Sequence, residues 1–137
     1  MSHQTRVETP VEMKQGNEKE IKAAAREFGC TVKQNAKARG WRGAEYEADM
    51  VIIHPNSSYD LALNKTEDGK YNINADSDAI RRELYKIYGS REHPFGKLIQ
   101  SYVRRVIRKE AVKKGYRIEE ATSTSSNKKV MEVKVNG

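Results

Sequence analysis

The sequence is poor in the residues from which small secreted or metal-centred proteins are built. A single cysteine, Cys30, excludes an internal disulfide framework and fits a reducing, cytoplasm-like compartment. The histidines His3, His54 and His93 have no metal-ligand spacing, and Cys30 adds none, so the sequence calls for no metal and no cofactor. No apolar run approaches the roughly 18 residues that span a bilayer, and the polar start Met1-Ser2-His3-Gln4-Thr5-Arg6 lacks the apolar core of a signal peptide. Trp41 is the lone tryptophan, and there is no phosphate-cradling GxxxxGK[ST] loop, no nucleophile elbow and no HExxH helix. The expectation is a soluble, cytoplasmic protein that is not an enzyme.

Charge is what the chain has in quantity. Charged residues make up 33% of it, and 26 Lys plus Arg against 19 Asp plus Glu leave a net charge of +7, which favours polyanions such as RNA or DNA, or an acidic protein surface. A length of 137 residues with 36% hydrophobic content suits one α+β domain over 1–137 with a modest core.

The densest apolar run lies within residues 38–63. There the basic, glycine-punctuated Arg39-Gly40-Trp41-Arg42-Gly43 leads into Ala48-Asp49-Met50-Val51-Ile52-Ile53, a strand closed by the turn formers His54-Pro55-Asn56-Ser57-Ser58. Upstream, loose alternation over 5–13 predicts an edge strand weakened at Pro10. Asn17 with Glu20 three residues later predicts a capping box for a helix ending at Gly29, and 30–34 a short strand followed by a turn-rich lead-in.

Downstream, Tyr59, Leu61 and Leu63 face Tyr71, Ile73 and Ala75 across a turn at Glu67-Asp68-Gly69, with Asp60, Asn64, Asn72 and Asn74 on the wet side. Asp76-Ser77 caps a helix that ends near Gly89. Phe95, Leu98, Ile99, Tyr102, Val103, Val106 and Ile107 then repeat at helical spacing in a long helix stopped by Gly115, and 116–122 and 130–135 form a last hairpin across a polar 123–127 loop. The fold class is α+β, with a mainly antiparallel sheet of about six to seven strands against two or three helices.

Those same residues carry a resemblance. Met1-Ser2-His3, Phe28-Gly29, Arg39-Gly40-Trp41-Arg42-Gly43 followed by Ala48-Asp49-Met50-Val51-Ile52, Tyr59-Asp60-Leu61, Ala75-Asp76, Gln100 with Tyr102, and Ala111 through Gly115-Tyr116 resemble the uncharacterised family of chloroplast hypothetical reading frame thirty-five, which also occurs in bacteria. The stretch 78–93 departs from it, being unusually basic and lacking a tryptophan-rich segment. The resemblance implies an α+β fold and an accessory role beside a larger assembly, for example an AAA-type ATPase; it brings no catalytic residues.

Two surfaces stand out. Over 81–114, eleven basic residues face three glutamates, a balance of +8 that exceeds the charge of the whole chain. Arg104, Arg105, Arg108, Lys109 and Lys113 are spaced along the long helix to follow a phosphate backbone, or equally to form a solvated face. Arg39, Trp41 and Arg42 offer guanidinium groups and an indole for gripping phosphate or stacking on bases, or equally a core plug at the start of a strand. Asp49, Asp60, Asp76 and Asp78 are weaker candidates for a divalent cation, and Glu132-Val133-Lys134 resembles the acidic-x-lysine element of metal-dependent nucleases. The function expected is nucleic-acid contact through basic faces; the alternative is an adaptor that docks on an acidic protein surface.

Overall fold

The structure, a computed structural model, describes residues 4–7, 9, 11–122 and 129–135, with side chains through residue 115. The chain forms two compact units, Met1–Tyr102 and Val103–Gly137.

The first unit is built on an antiparallel sheet of six strands, β1 (Gln4–Val7), β2 (Met13–Lys14), β3 (Thr31–Arg39), β4 (Glu45–Ile53), β5 (Leu61–Lys65) and β6 (Lys70–Asp76). Their order is β1-β6-β5-β4-β3, with β2 also on β6. The single strand expected over 5–13 is thus two short strands on the same neighbour; Pro10, the expected weak point, lies outside the described residues, as does Glu8. Strand β4 supplies the centre of the core: Met50, Val51 and Ile52 are buried, as are Leu61 and Leu63 of β5 and Tyr71, Ile73 and Ala75 of β6. The register Leu63 to Ile73 and Asn64 to Asn72 puts apolar side chains opposite apolar and amides opposite amides.

Helix α1 (Glu18–Glu27) buries Ile21, Ala24 and Ala25. The capping box read at Asn17 does not form. Asn17 makes no side-chain cap and donates instead to the Tyr102 hydroxyl at 3.0 Å, and Glu18, not Glu20, reaches back to the Gly16 N–H at 2.8 Å. The far end closes as expected: Gly29 at φ 79 lets its N–H reach the Arg26 carbonyl while Cys30 N–H reaches Ala25, which satisfies two carbonyls at the helix end.

Strand β3 corrects a second expectation. Read as a short strand and a turn-rich lead-in, it is one nine-residue strand paired with β4 from Thr31 to Arg39, and it passes through Asn35 at φ 49 without a shift of register. Asparagine tolerates this left-handed conformation better than most residues, so the ladder absorbs it.

After β6, Asp76 caps α2 (Ser77–Ala79) by accepting from Asp78 N and Ala79 N; a π-helical turn (Ile80–Leu84) and α3 (Tyr85–Tyr88) continue the helix. Helix α4 (Gly96–Lys113) begins in this unit, where Phe95, Leu98, Ile99 and Tyr102 are buried and the Tyr102 hydroxyl accepts from Lys14 N at 3.0 Å. The apolar stripe then loosens, and Ile107 is 37% exposed. In the second unit, β7 (Tyr116–Thr122) pairs antiparallel with β8 (Lys129–Val135). The 123–127 loop lies outside the described residues.

Candidate functional site

The basic-aromatic stretch read in the sequence is a tight turn between β3 and β4. Its geometry starts with Gly40, whose N–H bonds to the Ala44 carbonyl at 2.7 Å and whose missing side chain leaves room for the Tyr46 ring. Arg42 takes φ 55 and Gly43 φ 79, which reverses the chain within Trp41–Gly43. Two buried aspartates pin the turn. Asp76 accepts from Trp41 N at 3.0 Å, in addition to capping α2. Asp60 accepts from Arg39 N at 2.9 Å and grips the Arg39 guanidinium twice, at 3.0 and 2.9 Å.

The alternation around Asp60 predicts a wet side chain on a strand; Asp60 instead sits just before β5 and is 3% exposed, because the Arg39 fork provides the opposite charge that burial demands. Arg39 gives a further bond to the Ser57 carbonyl at 3.1 Å, yet half its side chain stays in solvent. The bonds to Asp60 hold its pKa above the ordinary arginine value. Near Asp76, burial first and the aspartate's charge second raise the pKa of the Tyr46 phenol.

Trp41, so anchored, is half-buried. Tyr59 stacks on it with ring centroids 5.8 Å apart and 28° between planes. Arg82, exposed on the π-helical turn, lays its guanidinium over the indole at 4.8 Å, and Arg42 approaches to 6.0 Å. Three residues beyond Arg82, Tyr85 carries Arg91 at 5.0 Å and Lys86 at 6.0 Å. The outcome is one cluster, in which Tyr59, Arg42 and Arg82 meet at Trp41, and a second on Tyr85, which carries Lys86 and Arg91. A cation over a ring at an exposed site is worth about 0.5 to 1 kcal/mol, whereas a nucleic-acid base stacked on an aromatic side chain is worth about 1 to 3 kcal/mol.

Of the residues that the sequence suggests, Arg39, Trp41 and Arg42 therefore share one turn, and Tyr59 and Arg82 join them at the indole; Tyr85 and Arg91 pair with each other. Tyr59 had a signal in the Tyr59-Asp60-Leu61 string and Arg82 one in the basic run; neither string says that they meet at Trp41. Arg104, Arg105, Arg108, Lys109 and Lys113 lie on α4 as read, in the second unit. Arg104, Arg105 and Lys109 are half-buried, the first four each have an interaction of their own, and Lys113 pairs with Glu110 at 3.9 Å.

The other carboxylates have separate tasks. Asp49 accepts from Lys65 N at 2.7 Å and Asp78 pairs with Arg81. Among the described residues no three of His, Cys, Asp and Glu form a group suited to a metal ion, and the side chain of Glu132 lies outside them. Asn35, Lys37, Glu47, Asp49 and Asn64 line an open groove of about 530 Å³ that mixes both signs of charge. Cys30 is buried with its sulfur 3.3 Å from the Tyr88 hydroxyl, and burial pushes both its pKa and that of Tyr88 up. Among the described residues no helix is long and apolar enough to cross a membrane.

The model of a family described as protein of unknown function, DUF1257, matches residues 24–130, a span that contains every residue of this turn and its neighbours. No curated protein and no solved structure matches the chain.

Proposed function

This chain belongs to the DUF1257 family, and from that premise we propose that it is a non-enzymatic accessory protein that contacts nucleic acid through the cations around Trp41. The observation that carries the reading is Arg82 lying 4.8 Å over the indole of Trp41, whose backbone N–H is held by the buried Asp76 while the buried Asp60 holds Arg39 at the start of the same turn. Guanidinium groups resting on rings lose less freedom when they meet a phosphate, and phosphate contacts supply most of the affinity in binding without sequence readout. Arg42, Lys86 and Arg91, all exposed, extend the surface. The cations of α4 supply a second basic segment. The Arg39 to Ile52 stretch also carries the likeness to the chloroplast reading-frame family, and we propose that both family descriptions cover one domain; plastid members aligned on 24–130 should then repeat Gly40, Trp41 and Gly43.

Fluorescence anisotropy with labelled mixed-sequence RNA and DNA tests the nucleic-acid reading. The wild-type chain should bind at physiological salt, and Arg42→Glu with Arg82→Glu should weaken binding about tenfold or more with an unchanged melting temperature. Unchanged affinity in that pair of substitutions contradicts the proposal. So does an absence of binding together with a stoichiometric protein partner that survives nuclease treatment, which is the signature of an adaptor.

A further inference from the structure

Resting on the nucleic-acid reading, the geometry points to the form of nucleic acid that the site takes. We infer that Trp41 and Tyr59 are a stacking platform for an unpaired base of a single strand, with Arg42 and Arg82 taking the phosphates beside it. Three features of the platform argue for this.

The first is rigidity. The backbone under the indole is fixed by Trp41 N on Asp76 and by the Gly40 to Ala44 bond, and Tyr59 stacks on the ring itself at 5.8 Å, so a base meets a ring that is already in place. The second is that what now covers the indole is removable. Arg82 is exposed, among the described residues it makes no ion pair, and its guanidinium lies over the ring. A base gains more from the indole than a guanidinium does, and a displaced Arg82 is free to take a phosphate.

The third is the choice of residues. A surface that only attracted phosphate would need no aromatic side chains, yet here Trp41, Tyr59 and Tyr85 are interleaved with Arg42, Arg82, Lys86 and Arg91. Bases in a duplex stack on one another and offer the indole no face, so a duplex can use the cations alone. Every base has such a face, so the site should tolerate any sequence.

Trp41 is the chain's only tryptophan, so its emission reports on the platform without a label. The full chain would be titrated with a single-stranded DNA of about ten nucleotides, an abasic strand of equal phosphate count, and the matching duplex. The inference expects quenching by the base-bearing strand and little by the other two. It also expects the base-bearing strand to bind about tenfold or more tightly than the abasic one. By anisotropy, Trp41→Leu should bind both strands alike, while Arg82→Gln, at an exposed position, should weaken all three probes and keep the base-dependent quenching. Equal binding and equal quenching by the abasic and base-bearing strands overturn the stacking platform and leave the phosphate reading standing. Failure of every probe to bind removes both.

Discussion

Asp60 and Asp76 are buried carboxylates whose partners lie in the turn that carries Trp41, so the site and the stability of the first unit depend on the same atoms. Asp60 takes three N–H groups from Arg39. Asp60→Ala leaves the Arg39 N–H and guanidinium without their acceptor and should cost about 2 to 4 kcal/mol by urea unfolding; a wild-type midpoint would mean that the pair is incidental. A second residue pair sets a pH dependence. Burial raises the pKa of Glu18, but the Tyr71 hydroxyl at 2.7 Å, the backbone N–H groups and the charge of Lys65 outweigh it, so the carboxyl ends below its ordinary value of 4.5. A carboxyl depressed in the folded state contributes stability that is complete above the unfolded value and lost as pH falls through the folded one. Stability should therefore decline below about pH 4.5, and Tyr71→Phe should flatten that decline in an acid-unfolding series. An equally steep decline in the variant would assign the effect to other carboxylates.

At the scale of elements, the turn between β3 and β4 works because Gly40 has no side chain. A Cβ there would stand 2.5 Å from Tyr46 Cε2 and 3.3 Å from Asp76 Oδ2. Gly40→Ala should cost about 1 to 3 kcal/mol by overpacking and should shift the emission of Trp41; a melting temperature and spectrum like those of the wild type would show that the turn gives way cheaply. The string from Arg39 to Gly43 was legible as a basic, aromatic turn, since glycine and arginine around a lone tryptophan announce it locally. The helix end at Gly29 was legible for the same reason. Strand β3 was not, because Asn35 looks like a turn former and Ala36-Lys37-Ala38 lacks the β-branched residues that mark strands; pairing with β4 decides the matter, and that lies outside the segment. Asp60 was misread because its partner is 21 positions away. The meeting of Trp41, Tyr59 and Arg82 could not be read from any one segment. The π-helical turn that carries Arg82 gives no sign in the sequence, though such turns are frequent at functional sites.

For the molecule as a whole, the net charge of +7 favours polyanions in general, and the proposed site assigns that attraction to one place. The two basic segments that the sequence suggests differ in kind. In the first unit the cations are exposed and lie over rings, whereas Arg104, Arg105, Arg108 and Lys109 already have interactions of their own. The most direct test is the salt dependence of single-strand binding by the wild-type chain and by Arg82→Gln. If Arg42, Arg82, Lys86 and Arg91 each meet a phosphate, the logarithm of the binding constant should fall against the logarithm of salt with a slope of about −3, and Arg82→Gln should make it shallower by about 0.7. A slope near zero, or one that Arg82→Gln leaves unchanged, would contradict the claim that nucleic acid binds at the Trp41 turn.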